Sequence, residues 1–419
     1  MLRPSLLKVV GAVSAWVAAS SSLMVGKLVG SDVLVMGNYH GYISPEVVSE
    51  LHGKYGFKVD YFEHDHIVKE KFNKGIYDMA VVSTSVLSEM KNSNSVLKLD
   101  WSKLTSTSTS DKKDLFTDLV KEMVGNDLLD YGIPYFVQRL GFYYTGSKIS
   151  SLEGSVSFST LINIISHEER FRSDGKTPKL GLIDDPRTVL SLSRRVKGHD
   201  DINPSGHEYR GADDILNDYK VLISSGLNSS QLGNNFLFIN PDSSKMVDAL
   251  SNGDIKGAFM YNGDGLFAAN GGNIKAEIKD GEFHEVEISD NIYFLDFVTL
   301  SPHLKEKKLE KAYSLAKDLL FLTNANANES DPLKKSGEEY EEMVVRNFDY
   351  VQYPPVLKKL NEKLDNYFQG EAKLKELKQK IIKTEKPQNK DIKKSFETFF
   401  DSRRKSDMLI AYENFKLLL

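Results

Sequence analysis

The residues that stand out for their chemistry are two tyrosines and one aspartate. Tyr39 and Tyr42 follow an apolar run, Val33–Met36, that predicts a buried strand. They would then lie in a short loop at the carboxyl end of that strand, where open α/β sheets bind ligands; the alternative is that both rings pack the loop down. Asp296 lies in an apolar stretch between a leucine and a phenylalanine, where an isolated carboxylate needs a partner. We expect Asp296 to contact a ligand, or otherwise to form a structural salt bridge.

Two other polar groups are weaker candidates. Glu63–His66 places two histidines two residues apart, a spacing that shares one face of a strand, but four polar residues between elements are more typical of a turn than of a metal site. Asp184 and Asp185 are adjacent, so on a strand their side chains point to opposite faces and do not form a catalytic pair. Asp184 is expected to be structural, bonded to its loop or to Arg187.

Tyr350 and Tyr353 are a candidate pair of iron ligands, but no histidine or carboxylate set accompanies them. The sequence also lacks the motifs G-x-S-x-G and H-E-x-x-H, the Walker loop and G-x-G-x-x-G. We therefore predict a protein that binds its ligand without catalysing a reaction, and that uses neither a cofactor nor a bound metal.

The composition is that of a soluble globular protein. The 419 residues are 40% hydrophobic and 27% charged, and the net charge of −5 gives no indication of a nucleic-acid surface. Cysteine is absent, which excludes disulfides, thiolate metal sites, cysteine nucleophiles and lipid attachment through a cysteine. The chain is long enough for two lobes with separate cores, and we expect a monomer.

The amino terminus has the charge pattern of an export signal. Arg3 and Lys8 precede a stretch without charged residues, Val9–Gly26, that is long enough to span a bilayer. We predict that this segment is retained as a membrane anchor, residues 6–26, rather than cleaved; a buried N-terminal helix is the alternative. The rest of the chain would then lie in the periplasm or on the extracellular face of the plasma membrane.

The elements that position these residues alternate between strand and helix. After the first strand, Ser44 and Pro45 predict the start of a helix that Gly56 can end. A second strand, a short helix and a third strand, Tyr77–Val82, complete a parallel unit with right-handed crossovers. The first lobe is therefore predicted to be built on a parallel sheet.

A second lobe follows the strand Leu140–Tyr144. Its predicted elements are Leu180–Ile183, Pro186–Val196, Ala212–Ile223, Phe236–Ile239, Ser243–Leu250 and Gly257–Tyr261. The strand Ile292–Leu300 returns the chain to the first lobe; a long helix from Ser301 to about Leu322, an aromatic turn at Phe348–Pro355 and Lys- and Glu-rich helices follow. The predicted domains are an anchor at 1–30, lobe 1 at 31–139, lobe 2 at 140–296, the return to lobe 1 at 297–357 and C-terminal helices at 358–419.

Several short motifs follow one another along residues 33–356. They are Asn38–Pro45 (N-x-x-x-Y-I-S-P), Tyr77-Asp78, Ser83-Thr84, Ile133–Tyr135, Asp184-Asp185-x-Arg187, Tyr261–Gly263 and Phe294-x-Asp296. This series resembles the spermidine/putrescine-binding proteins of bacterial ABC transporters, which are periplasmic binding proteins of type II. The resemblance implies an α/β fold of two lobes, similar to a periplasmic binding protein, with the ligand in the cleft between them.

The resemblance also implies a function and a site. The protein would be the substrate-binding component of a polyamine importer, presenting a polyamine or similar organic cation to ABC permease subunits. Carboxylates would meet the amines, and aromatic rings would contact the methylene chain, each cation–π contact contributing about 0.5–2 kcal/mol. The residues at the corresponding positions are Tyr39, Tyr42, Ser83, Thr84, Asp185, Tyr261, Phe294, Asp296 and Tyr353.

Some positions depart from the family pattern. The family's Trp-Thr-Glu-Tyr is Tyr39–Tyr42 here, with Gly41 in place of the glutamate, and Thr188 replaces a second carboxylate. Ser85 replaces a family tyrosine, and the tryptophans at the positions of Tyr261 and Phe294 are also lost. Because fewer carboxylates remain, we hypothesise a ligand with fewer or differently spaced positive charges than spermidine, such as a diamine.

Two alternatives to a polyamine importer remain open. The first is a surface adhesin or scaffold that kept the fold and lost the ligand, which the missing carboxylates permit. The second is an enzyme on the same two-lobed scaffold, because a fold does not fix a function. Tight stoichiometric binding without turnover would separate the importer from both. The Lys-rich residues 370–395 match the family poorly, and the sequence assigns them no role.

Overall fold

The computed structural model describes residues 32–105, 112–125, 127–204, 208–279, 281–320, 343–353, 355–361, 393–398 and 400–419. Leu34–Leu419 form one compact unit. The predicted anchor at 6–26 and most of the Lys-rich stretch 370–395 lie outside the described residues. Among the residues that are described, no helix is long and apolar enough to cross a membrane.

The described residues contain strands and helices in alternation. The strands are β1 Leu34–Tyr39, β2 Phe57–Phe62, β3 Met79–Ser83, β4 Ile133–Thr145, β5 Ser155–Val156, β6 Leu180–Ile183, β7 Leu237–Asn240, β8 Gly257–Tyr261, β9 Phe283–Glu285, β10 Glu287–Ile288, β11 Asp290–Leu300 and β12 Lys393–Phe396. The helices are α1 Pro45–Tyr55, α2 Val68–Asn73, α3 Thr84–Asn92, α4 Asp118–Met123, α5 Phe158–His167, α6 Pro186–Val196, α7 Ala212–Ser224, α8 Ser229–Leu232, α9 Ser243–Ser251, α10 Asn262–Ala269, α11 Glu306–Leu320, α12 Met343–Val351, α13 Lys358–Asn361 and α14 Ser402–Lys416.

Two long strands join the two lobes. The main sheet has the order β2-β1-β3-β11-β4-β8-β6-β7, with β12 beside β11 and β9 beside β4. Strands β1 to β3 are parallel to one another and form lobe 1, and β6 to β8 are parallel to one another and form lobe 2. Between them, β11 and β4 run antiparallel to each other, and β11 is also antiparallel to β3 and β4 to β8.

Each lobe has its own hydrophobic core. The division falls within β4, because Ile133–Val137 belongs to the core of lobe 1, whereas Leu140, Phe142 and Tyr144 belong to the core of lobe 2. A third, smaller core lies around α9 and α10. The prediction of a two-lobed α/β fold with crossing strands is therefore confirmed.

Local sequence signals account for the helices at the cleft. Pro186 occupies the first turn of α6, and Asp185 caps that helix by accepting a hydrogen bond from the backbone of Thr188. Ser83 caps α3 in the same way. The predicted cap of α1, Ser44, makes no side-chain cap; its backbone N–H donates instead to Asn347, which fixes the helix start against lobe 1.

Three elements differ from the sequence prediction. Helix α11 begins at Glu306 rather than Ser301, because the backbone of Ser301 still donates to the carbonyl of Asp78 and extends the sheet. The predicted aromatic turn at Phe348–Pro355 begins inside α12, since the buried ring of Phe348 packs onto the third core. The region predicted as C-terminal helices contributes β12, which fills the edge of β11 that β3 leaves unpaired.

Candidate ligand-binding cleft

Asp296 lies where β11 crosses from one lobe to the other. It pairs in register with Ser83 at the end of β3, and the register with β4 shifts between Leu295 and Phe297, a bulge that re-aims the side chain between them. The residue is 3% exposed. Its carboxyl accepts hydrogen bonds from the hydroxyl of Tyr42, at 2.7 Å, and from the side-chain amide of Gln138. The site therefore contains a buried acid held by two neutral donors.

The burial of Asp296 changes its protonation. Burial raises its pKa to about 7, and the negative charge of Asp65 also raises it, while the hydrogen bonds from Tyr42 and Gln138 lower it. Near neutral pH this carboxyl is therefore poised between its neutral and its ionised form. A cation placed beside it would favour the ionised form.

Aromatic rings form a wall on the lobe 1 side. Tyr42 packs edge-on against Tyr39, Tyr135, Phe136 and Tyr353, with ring centroids 5.4–5.7 Å apart. Tyr42 and Tyr353 are only 6% and 4% exposed and belong to the core of lobe 1. Tyr39 is partly exposed and packs edge-on against Phe62, with ring centroids 4.9 Å apart. Of the three predicted lobe 1 rings, Tyr42 and Tyr353 are therefore buried and Tyr39 is partly exposed.

Hydrogen bonds to the core of lobe 1 hold the loop that carries Tyr39 and Tyr42. The hydroxyl of Tyr135 donates to the carbonyl of Tyr42, and the side-chain amide of Asn347 donates to that hydroxyl. Gly41 has a φ of 70°, in the left-handed region, with open space around it. A glutamate at this position would be strained.

The lobe 2 side presents a different set. One oxygen of Asp185 accepts from the backbone of Thr188, at 2.6 Å, and the hydroxyls of Thr188 and Tyr261 are 2.7 Å apart. Burial raises the pKa of Asp185, and the bond from Thr188 lowers it. Tyr261 meets Phe294 edge-on, with centroids 5.3 Å apart, and both rings are partly exposed. These predicted site residues do come together on one face.

The predicted floor residues, Ser83 and Thr84, make mainly structural bonds. The hydroxyl and the backbone N–H of Ser83 both donate to Asp65, at 2.7 and 2.8 Å. The hydroxyl of Thr84 donates to the carbonyl of Leu295. Both residues line a small cavity of about 20 Å³ together with Phe294, enough room for about one water molecule. They close the inner end of the cleft.

The structure also locates the polar residues that were considered as a catalytic pair or as a metal site. Asp184 does not pair with Arg187; it lies 3.6 Å from Lys416 in α14. The rings of His64 and His66 are stacked 5.8 Å apart, and Asp65 between them is bonded to Ser83. No group of three or more acidic or histidine side chains among the described residues is arranged to hold a metal ion.

Two cleft residues were missed from the sequence. Gln138 is a single amide within the apolar run of β4, and the argument that a buried polar group needs a partner would have found it. Glu397 follows β12 and enters the cleft from the C-terminal region, where its carboxylate is 3.8 Å from Arg187 and 3.0 Å from the hydroxyl of Ser191. The surrounding Lys-rich sequence carries no signal that places it there.

These elements define a two-lobed fold like that of periplasmic binding proteins. Residues 8–414 match the family described as "Hypothetical lipoprotein (MG045 family)", and the chain belongs to this family. The 419 residues contain no cysteine, so the chain offers no thiol for the lipid attachment that the family description implies.

Solved structures with the same fold come from several kinds of protein. A structure described as a spermidine/putrescine ABC transporter from Listeria monocytogenes has a TM-score of 0.59 and 16% identity, covering 92% of this chain and 99% of its own. The TpPotD lipoprotein of Treponema pallidum has a TM-score of 0.59 and 14% identity, with coverage of 92% and 99%. A eukaryotic thiaminase-I bound to the thiamin analogue 3-deazathiamin has a TM-score of 0.55 and 12% identity, with coverage of 93% and 100%. At these identities the similarity concerns the fold.

Proposed function

We propose that this protein is the substrate-binding component of an ABC importer for a polyamine or a similar organic cation. The ligand lies between the two lobes, with its ammonium groups on carboxylates and its methylene chain on aromatic rings. The shared fold with the Listeria monocytogenes and Treponema pallidum structures supports this class of function. The observation that carries the proposal is the environment of Asp296.

Asp296 is a buried carboxyl without a cationic partner among the residues that the structure describes. Its donors are the neutral groups of Tyr42 and Gln138, and none of the ion pairs found among the described residues includes it. Ionising such a group is costly unless a positive charge compensates it. A bound ammonium group supplies that charge, so binding energy is concentrated at this position.

The partly exposed rings supply the apolar part of the site. Tyr39 projects from the end of β1, and Tyr261 and Phe294 lie on the opposite side. Their faces suit the methylene groups of an extended amine, and a ring face also attracts an ammonium group. Tyr42 and Tyr353 support this wall from the core rather than presenting free faces. The cleft thus pairs apolar contact with charge.

The cellular setting follows from the anchor predicted at 6–26. We place the folded unit outside the cytoplasmic membrane, held by that segment, where it delivers the ligand to permease subunits. Anchoring by an apolar segment removes the need for a lipidated cysteine, which these 419 residues lack. The protein performs no chemistry on the ligand.

The test is calorimetric titration of the full chain in detergent with putrescine, spermidine and spermine. The proposal predicts saturable binding to one site per chain. Asp296→Asn keeps a polar side chain of the same shape but removes the charge, and we expect affinity to fall at least about 30-fold. The matched control is Asp318→Asn, a largely buried carboxylate of α11 that pairs with Lys54; its removal should leave binding unchanged.

Other outcomes would redirect the proposal. Thiamin is included as a probe, because the thiaminase-I with this fold was solved with a thiamin analogue. Thiamin binding without polyamine binding would favour a different organic cation, and turnover of thiamin would favour an enzyme. Binding of none of these compounds would contradict the proposal and favour the adhesin or scaffold.

A further inference from the structure

The C-terminal segment enters the main sheet beside the cleft. Strand β12 runs parallel to β11, with Tyr293 paired to Phe396. On the same edge of β11, β3 pairs antiparallel and ends opposite Asp296, at Ser83. The carboxyl ends of β3 and β12 therefore point toward each other along the same edge of β11, with residues 294–295 of β11 between them.

This arrangement brings Glu397 to the inner end of the cleft. Glu397 follows the paired residue Phe396 and so lies beside Phe294. Asp296 is two residues further along β11, at roughly 3.3 Å per residue, and about 5 Å to the side. Glu397 and Phe294 line the same small cavity as Ser83. The side chain is 10% exposed.

Glu397 also faces a larger space. A groove of about 760 Å³ lies between the two lobes, lined from lobe 1 by α3 and residues 122–125 and 127–128, and from lobe 2 by Asp200, Asp201 and Asn203. Thr84, Met123, Phe396 and Glu397 line both the groove and the small inner cavity. Glu397 is thus placed between the open groove and the buried acid Asp296.

The charges around this point are predominantly negative. The charge of Asp65 raises the pKa values of Asp185, Asp296 and Glu397, that of Glu397 raises the pKa of Asp296, and that of Asp185 raises the pKa of Glu397. Among the described residues, the cation that pairs with Glu397 is Arg187, which also donates hydrogen bonds to Asn203 and Ser191. Among the described residues, no three of these carboxylates are close enough together to hold a metal ion. This spacing suits the separated charges of one extended ligand.

We propose that Glu397 is a ligand-binding carboxylate of the cleft, supplied by the C-terminal segment, and that it makes the site prefer a triamine over a diamine. This inference rests on the proposed function. It reverses the expectation from the sequence, where the loss of the family carboxylates at Gly41 and Thr188 pointed to fewer charges. Glu397 restores a charge from a different part of the chain.

The test compares putrescine with spermidine by calorimetry on the full chain in detergent. The wild type should bind spermidine more tightly. Glu397→Gln should weaken spermidine binding about tenfold or more, the loss expected for one charge-assisted contact, and should change putrescine binding less. Glu397→Asp, which keeps the charge, should restore part of the preference.

Two controls separate ligand binding from a structural role. Glu413→Gln removes an exposed carboxylate from the same segment, in α14, and should change neither affinity. Ser191→Ala removes the hydrogen bond to Glu397 without removing charge. If Glu397 only holds the segment in place, Ser191→Ala and Glu397→Gln will both lower the melting temperature and leave the ratio of the two affinities unchanged.

The outcomes distinguish this inference from the proposed function. An unchanged affinity ratio in Glu397→Gln, with a wild type that binds polyamines, overturns the role of Glu397 alone. A wild type that prefers putrescine also overturns it, and restores the expectation drawn from the sequence. A wild type that binds no polyamine overturns the proposed function and this inference together.

Discussion

The two faces of the cleft hold their carboxylates in different ways. On the lobe 1 face, Asp296 receives hydrogen bonds from two neutral groups, a tyrosine hydroxyl and an amide. On the lobe 2 face, Asp185 accepts from the backbone at the start of α6, and Glu397 lies near Arg187. Among the described residues, Glu397 thus has a guanidinium group 3.8 Å away, whereas no ion pair found there includes Asp296. A cation should therefore gain most at Asp296.

The aromatic residues differ between the faces as well. Tyr42 and Tyr353 are core side chains packed against other rings, and the ring of Tyr353 occupies the space that a Cβ on Gly263 would need, 2.5 Å away. Tyr261 and Phe294 are partly exposed and meet only edge to edge. The lobe 1 face is therefore built from buried rings, whereas the lobe 2 face has partly exposed ones.

The largest expected difference between the faces is in the cost of removing a ring. Tyr42→Ala should lower the free energy of unfolding by about 3–5 kcal/mol, because it opens a cavity in the core of lobe 1. Tyr261→Ala should cost clearly less, since that ring is partly exposed. Urea unfolding followed by circular dichroism measures both. Equal costs would contradict the distinction between a face of buried rings and a face of partly exposed rings.

Removal of a single hydroxyl tests the same comparison between the two faces, with a smaller expected loss of stability. Tyr42→Phe keeps the ring but deprives the buried Asp296 of a donor, and should cost about 1–3 kcal/mol of unfolding free energy. Thr188→Val removes the partner of the partly exposed Tyr261 hydroxyl and should cost about 0.5–1.5 kcal/mol. Urea unfolding measures both costs. A larger cost for Thr188→Val than for Tyr42→Phe would contradict the assignment of the lobe 1 face as the rigid one.

The protonation of Asp296 predicts a pH dependence of stability. Its folded-state pKa of about 7 lies above the unfolded value, so the folded state binds the proton more tightly. The associated stabilisation is present at about pH 4 and is lost as the pH rises through about 7. Asp296→Asn does not titrate, so its melting temperature relative to wild type should rise between about pH 5 and pH 8. A difference that stays constant or falls would contradict the raised pKa.

The smallest effect on stability is expected at Asp185. Asparagine is as good a helix N-cap as aspartate, so Asp185→Asn should change the unfolding free energy by no more than about 0.5 kcal/mol. It removes one cleft charge, so spermidine binding should still weaken in calorimetry. A large loss of stability would indicate that the charge of Asp185, rather than its capping bond, supports the fold.

Much of the fold could be predicted because local signals specify it. The helix Pro186–Val196 and the strand Leu180–Ile183 have the predicted bounds, set by proline, a capping aspartate and a short apolar run. The predicted start of α11 was wrong because a tertiary bond from Ser301 to Asp78 overrides the proline-based signal. Local sequence does not report such bonds.

The site was less predictable than the fold. Asp296 was singled out because a lone acid in an apolar strand requires a partner, and its two donors supply one. Glu397 was not singled out, because its position depends on the pairing of β12 with the free edge of β11, which lies more than ninety residues earlier in the chain. Pairing between distant strands follows from which edge is left open, and no local pattern encodes it.

The most direct test of the account is whether cation binding releases protons. Calorimetric titration with spermidine at about pH 7, in phosphate and in Tris, compares buffers with low and high ionisation enthalpies. Asp296 and Glu397 both have a pKa of about 7, raised by burial, so each is about half protonated before binding. A bound cation ionises them, and the account predicts buffer-dependent heats that correspond to proton release. Equal heats in the two buffers, or proton uptake, would contradict it.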